Sequence, residues 1–176
     1  MTRWWKAAGA VAVVLLASAG LLESRARQRT WRDADRFAVQ SAADSPNSWR
    51  AQGTLADMLT RQGRLDEAVE RYRLAISLAP VEQGWQVRNT LADLHLRRGE
   101  PRLAFAQLKL SLEAEPEQLQ TWAYMIRTFM ALGEFHQALD WATSALGYGG
   151  KPEVFEPLRA EADSALRSNG PAAHNP

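Results

Sequence analysis

The chain has 176 residues, of which 46% are hydrophobic, a length and composition typical of about one globular domain. A formal net charge of +1 excludes a strongly basic nucleic-acid-binding protein and a chain with an acidic tail. The sequence contains no cysteine, which excludes disulfides, thiolate metal sites and cysteine nucleophiles.

Residues 1–23 are predicted to form a transmembrane signal anchor. Arg3 and Lys6 stand beside Trp4 and Trp5, and residues 7–22 carry no charge. Counted from Trp4, about 19 residues are available, and a helix needs roughly 20 to cross the hydrocarbon core. Tryptophan rings favour the headgroup level, so both indoles suit one end of the span. We therefore expect residues 4–22 to contact the membrane.

This segment also admits other interpretations. Ala17-Ser18-Ala19 matches the cleavage site of a signal peptide, and a buried helix of a soluble protein is a third possibility. The membrane orientation is open in the same way. Four arginines between residues 25 and 32 favour a cytoplasmic C-terminal part, whereas a short basic start before an apolar run is typical of export. We expect the periplasmic side.

Residues 24–46 are predicted to extend this helix and to end as a degenerate half-repeat. No glycine or proline occurs between Leu21 and Ser45, so one unbroken helix from residue 4 to residue 43 would be about 60 Å long. Pro46 precedes Pro80 by 34 residues, which places this segment in phase with a later helix. We expect the anchor and the following repeats to form one rigid body. The residues expected to face the next hairpin are Trp31, Ala34, Phe37, Ala38 and Ser41.

Residues 47–168 contain three copies of a two-helix unit. Gly63, Gly99 and Gly133 each follow a helical run, and their separations are 36 and 34 residues. A period of this length predicts stacked helical hairpins. Glycine tolerates the positive φ that ends a helix, and small residues let two helices approach closely. The alanines that keep the same two spacings are Ala68, Ala104 and Ala138.

The second helix of each unit ends in a recognisable way. Pro80 and Pro116 close the first two units because proline cannot continue a helix. The third unit lacks this proline, and residues 147–150, with three glycines, are expected to break its second helix. Residues 153–168 are predicted to be a capping helix that covers the end of the stack with Val154, Leu158, Ala162 and Leu166. Residues 169–176 are predicted to be a disordered tail.

The order of these residues resembles the tetratricopeptide repeat, or TPR. Trp122, Met125 and Phe129 before Gly133, and Ala138 after it, follow the family pattern in the third unit. The resemblance covers three repeats and the preceding half-repeat. It implies an all-α, right-handed superhelix of a half-repeat, three full helical hairpins and one capping helix, joined to the N-terminal transmembrane helix.

The departures from the family pattern are few. Gln52 and Arg88 stand where the family often has tryptophan, and His95 stands at an aromatic position. Because His95 is in phase with Leu59 and Phe129, we expect it to be packed in the core.

The sequence offers little for catalysis. The three histidines, His95, His136 and His174, have no metal-ligand spacing. No glycine-rich phosphate loop is present, and no serine is accompanied by an evident base. We therefore expect no enzymatic activity, cofactor, metal ion or nucleic-acid partner.

The TPR resemblance implies that the first helix of each hairpin lines a concave groove that binds a protein or peptide. Asp57–Arg61 and Asp93–Arg97 are i,i+4 pairs at matching positions, either ion pairs of a solvated face or part of this groove. The carboxylate clamp of one TPR variety is missing, because Gly53, Asp57, Thr90, Gln120 and Tyr124 occupy its positions. The predicted groove residues are Arg50, Asp57, Arg61, Gln86, Asn89, Asp93, Arg97, Gln120 and Arg127.

Three functions follow from these interpretations. The first is a membrane-anchored TPR scaffold that binds a protein or peptide partner in assembly of a cell-envelope complex. The second is a non-catalytic subunit of a glycan or polysaccharide transfer system. It rests on residues 29–33 and 45–51, which resemble the join to the TPR tail in multi-spanning glycosyltransferases of the protein-O-mannosylation type. The third is a cytoplasm-facing membrane adaptor, which follows from the arginine count.

Overall fold

The computed structural model describes residues 33–169. The predicted membrane segment, residues 24–32 of the helical extension and residues 170–176 of the tail lie outside the described residues. Within residues 33–169, the helices are too short or too polar to span a bilayer. The chain divides into two compact units, Met1–Pro46 and Asn47–Pro176.

The described part of the first unit is one helix, α1, over residues 33–44. Ala38 and Ala42, one turn apart, are its buried residues, and Ser41 is half-buried. Phe37 is a correction to the predicted buried face, because 67% of its surface is exposed. Neighbouring residues lie about 100° apart around a helix, which places Phe37 off the stripe that the two alanines define. Ala34 is exposed as well, and Trp31 lies outside the described residues.

The described part of the second unit, residues 47–169, consists of seven α-helices. Three successive pairs form antiparallel hairpins, and a single helix follows, so the described chain is all-α as predicted. The hairpins are α2 (Trp49–Arg61) with α3 (Leu65–Leu78), α4 (Gly84–Arg97) with α5 (Pro101–Ala114), and α6 (Leu119–Leu132) with α7 (Phe135–Gly147), followed by α8 (Pro152–Asn169).

The three glycines predicted to end the first helices lie at equivalent bends. Gly63, Gly99 and Gly133 have φ values of 75°, 72° and 77°, in the left-handed region that glycine adopts without a steric penalty. After each glycine, the next N–H donates at 2.9 Å to the carbonyl of the residue four positions before the glycine. This is the hydrogen bond of a Schellman motif, and it satisfies a carbonyl that the helix end leaves unpaired. The predicted repeat is therefore confirmed at its turns.

The last hairpin ends by the same kind of turn. α7 stops at Gly147, Gly149 has φ 83°, and the N–H of Gly150 donates to the Ala145 carbonyl at 2.8 Å. The predicted break at residues 147–150 is confirmed. α8 then packs against α6 and α7, as α6 packs against α4 and α5. It therefore takes the place that the first helix of a fourth hairpin would occupy.

The buried face of α8 differs from the prediction. Phe155, Leu158 and Ala162 are buried at spacings of three and four residues, and Leu166 is half-buried. Val154 is 41% exposed, so it does not cover the stack. A Cβ atom at Gly150 would lie only 2.7 Å from the Phe155 ring. The chain before α8 therefore packs tightly against Phe155, which fixes the rotation of the helix and turns Val154 outward.

One cluster of the apolar core is shared among α4 to α8, in which small residues lie beside larger ones. No member of this cluster belongs to α2 or α3, which have buried apolar residues of their own, among them Ala56, Leu59 and Tyr72. The buried members of the shared cluster are Ala92, Ala104, Leu108, Met125, Ile126, Phe129, Ala138, Ala142, Ala145, Phe155, Leu158 and Ala162.

A polar network connects the first two hairpins. His95 is 3% exposed, which confirms its predicted burial, and its Nδ1 lies 2.7 Å from Glu100 Oε2. Arg98 donates from Nε to Glu100 Oε1 at 3.0 Å and from Nη1 to Asp66 Oδ1 of α3 at 2.7 Å. Gln52, which also departs from the family pattern, is buried and accepts a hydrogen bond from Arg71 at 3.2 Å.

Candidate functional site

The first helices of the hairpins present side chains at matching positions. Asp57, Asp93 and Arg127 follow one another at the repeat spacing on α2, α4 and α6. Asp57 and Arg127 are exposed, and Asp93 is half-buried. We call the exposed and half-buried side chains of α2, α4, α6 and the first turn of α8 the groove face. Two cavities open on it.

The first cavity, of about 290 Å³, lies between α2, α3 and α4. It brings together three predicted groove residues, Arg50, Asp57 and Gln86. The Arg50 guanidinium lies 4.5 Å from the Trp49 ring centroid and donates to Gln83 Oε1 at 3.0 Å. The other residues that line this cavity are Gly53, Thr54, Tyr72, Val87 and Thr90.

The Asp57 carboxylate is oriented by a hydrogen bond from a buried tyrosine. Tyr72 Oη donates to Asp57 Oδ1 at 2.5 Å. Burial of the phenol raises its pKa well above the ordinary value, and the hydrogen bond to Asp57 raises it further, against a smaller lowering by Thr60 and Arg97. The hydroxyl therefore stays protonated at neutral pH and keeps Asp57 pointing into the first cavity.

Of the two predicted i,i+4 pairs, the one on α4 is confirmed. Arg97 Nη2 lies 2.5 Å from Asp93 Oδ2, and the arginine side chain is 66% exposed. On α2, the hydrogen bond that orients Asp57 comes from Tyr72. Arg61 is exposed in the last turn of α2 and lines neither cavity.

Asn89 is a correction to the predicted groove residues. Its side chain is 2% exposed, and Nδ2 donates to Thr121 Oγ1 of α6 at 2.8 Å. The packing of α4 against α6 covers this position, which a partner therefore does not reach. Within the described residues, Oδ1 of Asn89 has no hydrogen-bond partner.

The second cavity, of about 410 Å³, lies between α6 and the start of α8. It brings together the predicted residues Gln120 and Arg127. Leu119, Ala123 and Tyr124 complete the α6 side, and Lys151, Val154 and Phe155 form the other wall. The α8 wall was absent from the predicted groove because α8 was interpreted only as a cap.

Several residues that line the cavities were not among the predicted groove residues. Trp49, Tyr72 and Val87 border the first cavity from positions that the repeat pattern assigns to turns or to the core. In the sequence, the signal that the capping helix contributes to the groove face is the basic residue just before it, Lys151. Among residues 33–169, no group of three or more His, Asp or Glu side chains is placed to hold a metal ion.

Comparison with known proteins supports the fold alone. No protein-family model matches the chain, and no curated protein matches it either. Solved structures do resemble it, among them a TPR domain and two structures of MamA. The Sgt2 TPR domain from Aspergillus fumigatus has a TM-score of 0.62 and 14% identity, covering 73% of this chain and 85% of that one.

The other two structures are of MamA. The MamA protein has a TM-score of 0.60 and 14% identity, covering 88% of this chain and 93% of that one. The MamA RS-1 ArsTM double mutant has a TM-score of 0.59 and 12% identity, covering 86% and 94%. The chain is therefore a TPR-like helical-repeat protein in fold.

Proposed function

We propose that this protein is a scaffold whose groove face binds a segment of a partner protein. The observation that carries the proposal is the pair of cavities on one face, both lined by the first helices of the hairpins. A TPR-like fold presents these helices side by side, so an extended or helical peptide would meet successive helices along its length.

The chemistry of the groove face suits a polypeptide. Gln86 and Gln120 offer both donors and acceptors at equivalent positions. Thr54 and Thr90 donate to the carbonyls of Arg50 and Gln86, so their hydroxyl oxygens offer acceptors one turn later. Backbone amides and carbonyls of a bound peptide need both kinds of partner when they leave water. The fixed carboxylate of Asp57 and the Asp93–Arg97 pair add charges that would fix the direction of the peptide.

Site-specific photocrosslinking tests the proposal. A benzoylphenylalanine placed at Thr90 or Gln120 in the full chain is expected to capture the same partner, because both positions border the cavities. The matched control is the same residue at Arg102, exposed on α5 in the second helix of a hairpin. Equal capture from all three positions, or capture from Arg102 alone, contradicts the proposal.

Substitution tests whether groove residues contribute to the affinity for the partner or only lie close to it. Gln86→Ala combined with Arg97→Ala is expected to weaken the captured complex at least tenfold, with helical content unchanged. Asp57 is a poor choice for this purpose, because its removal takes away the acceptor of the hydrogen bond from the buried Tyr72 hydroxyl. A complex that binds the double variant with unchanged affinity would show that the partner uses another surface.

We further propose that residues 4–22 tether this groove face to a membrane, with residues 47–168 on the periplasmic side in a cell-envelope complex. The support is the uncharged run of residues 7–22 behind a short basic start. A tether raises the effective concentration of the groove around membrane partners. A C-terminal alkaline phosphatase fusion is expected to be active. An inactive fusion beside an active cytoplasmic reporter fusion would place the groove in the cytoplasm and support the adaptor alternative.

A further inference from the structure

The second cavity differs from the first in its charge. The residues that line the first include one cation, Arg50, and one anion, Asp57. The residues that line the second include Arg127 and Lys151 but neither an aspartate nor a glutamate. Its two formal charges are therefore both positive.

Neither cation is neutralised by the described part of the chain. Arg127 and Lys151 form no ion pair with any residue between 33 and 169. The contact of the Arg127 guanidinium is with the Tyr124 ring, 5.8 Å from its centroid. This contact holds the side chain over the cavity and leaves its outer N–H groups able to donate.

Between the two cations the surface is apolar. Ala123 and Tyr124 of α6 face Val154 and Phe155 of α8 across about 410 Å³, a volume in the range of known ligand pockets. The turn before α8 places Val154 there instead of in the stack, since the Phe155 ring takes the buried position. An apolar side chain that enters this cavity leaves water, and a carboxylate beside it reaches the cations.

We propose that the second cavity is the specificity pocket of the groove, and that it takes a peptide segment with acidic side chains next to a bulky apolar side chain. This inference rests on the proposed function, because it names the chemistry of the partner segment. Charge complementarity with Arg127 and Lys151 selects the acidic residues, and the walls from Tyr124 and Val154 select the apolar one.

A partner peptide suits this geometry better than a lipid surface. Membrane surfaces bind apolar side chains that protrude, whereas here the apolar groups line a concavity. Acidic side chains also suit it better than a C-terminal carboxylate. Arg127 lies on α6 and Lys151 in the turn before α8, so the cations stand on opposite walls of the cavity, which favours two separate carboxylates over one.

The test is a selection followed by a binding measurement. The purified full chain selects from a random library of 12-residue peptides, and the enriched peptide is synthesised with both termini blocked. The enriched sequences are expected to carry Asp or Glu within about three residues of Leu, Ile or Phe. Fluorescence anisotropy then gives the dissociation constant of this peptide and of a version with Asn and Gln in place of its acids.

The variants assign the effect to the pocket. Arg127→Gln with Lys151→Gln is expected to raise the dissociation constant about tenfold, because it removes two exposed charge interactions with the peptide. In that variant, the acidic and amide peptides should bind equally well. Arg102→Gln with Lys109→Gln removes the same charge from α5 and is expected to change nothing. Val154→Gln should weaken binding of both peptides alike.

Each alternative outcome overturns the inference in its own way. Enriched peptides without acids, or peptides insensitive to the pocket variant but weakened by Gln86→Ala with Arg97→Ala, leave the groove function standing and remove the pocket. Binding that requires a free C-terminus, or displacement of the peptide by anionic lipid vesicles, assigns the pocket to a different ligand. A selection that enriches no peptide contradicts both the inference and the proposed function.

Discussion

At the scale of single residues, glycine shows how backbone conformation decides the effect of a substitution. Gly99 has φ 72° and lies in a turn, whereas Gly53 lies inside α2 with no atom within 4 Å of an added Cβ. Gly99→Ala is expected to lower the free energy of unfolding by about 1–2 kcal/mol, because an L side chain is strained there. Gly53→Ala should raise it by about 0.5–1 kcal/mol, because alanine favours the helix. Urea denaturation of both variants checks the two signs.

Glu100 links stability to acid pH. The hydrogen bond with His95 lowers the pKa of the Glu100 carboxyl below its ordinary value of 4.5, and Arg98 lowers it further. The folded chain therefore favours the ionised form of this carboxyl group more than the unfolded chain does. Its contribution to stability is complete above pH 4.5 and is lost as the pH falls from there through the lowered pKa.

Glu100→Gln is therefore expected to destabilise the protein at pH 7 and to flatten the loss of stability below pH 4.5. The matched control is Glu113→Gln, an exposed residue of α5 that forms no ion pair within the described chain. Urea midpoints measured from pH 3 to pH 7 give both results. An unchanged acid slope in Glu100→Gln would rule out this linkage.

At the scale of elements, two adjacent residues of α8 lie on different faces of the helix: Phe155 is buried and Val154 is exposed. Phe155→Ala is expected to cost about 3–5 kcal/mol, because it removes a buried ring against which Gly150 packs. Val154→Ala should change stability by less than about 0.5 kcal/mol, because Val154 is exposed. Thermal or urea denaturation distinguishes them, and similar costs for both would mean that the face of α8 is assigned wrongly.

The elements were predictable where the pattern repeats. The glycines and prolines fix where α2 to α7 end, because each has a backbone geometry that other residues rarely adopt. α8 has no earlier copy for comparison, and its apolar residues at 154, 155, 158 and 162 fit more than one helical face. The contact of Phe155 with Gly150 selects among these faces, and that contact appears only in three dimensions.

The site was less predictable than the fold. Repeat spacing gives the direction in which a side chain points but not how closely the next helix approaches, so Asn89 was predicted to be accessible and is buried. The hydrogen bond from Tyr72 to Asp57 was not predicted, because Tyr72 comes from the opposite helix of the hairpin. The burial of His95 followed from its phase, but the carboxylate beside it did not.

At the scale of the second unit, buried apolar residues occur in every hairpin. One cluster of them runs from α4 to α8 and includes no residue of α2 or α3. In repeat proteins each unit contacts only its neighbours, so the loss of a core side chain acts locally. Ile126→Ala, at a fully buried position of α6, is expected to cost about 2–5 kcal/mol and to lower amide protection mainly in α4 to α8.

The matched variant is Leu59→Ala in α2, which should lower protection mainly in α2 and α3. Native-state hydrogen exchange followed by mass spectrometry resolves the helices separately. Equal loss of protection in all helices, from either variant, would show that the repeats unfold as a single cooperative unit.

The turn at Gly149 has a consequence for how this chain could diversify. Because it points Phe155 into the stack, the neighbouring positions 151 and 154 are exposed, and substitutions there are expected to change stability little. Those same positions form one wall of an opening about 410 Å³ in volume. Mutation there alters what the opening accepts while the array stays intact. The turn before the last helix and the first turn of that helix are thus where new preferences can arise, by drift or in the laboratory, at little cost to the stability of the fold.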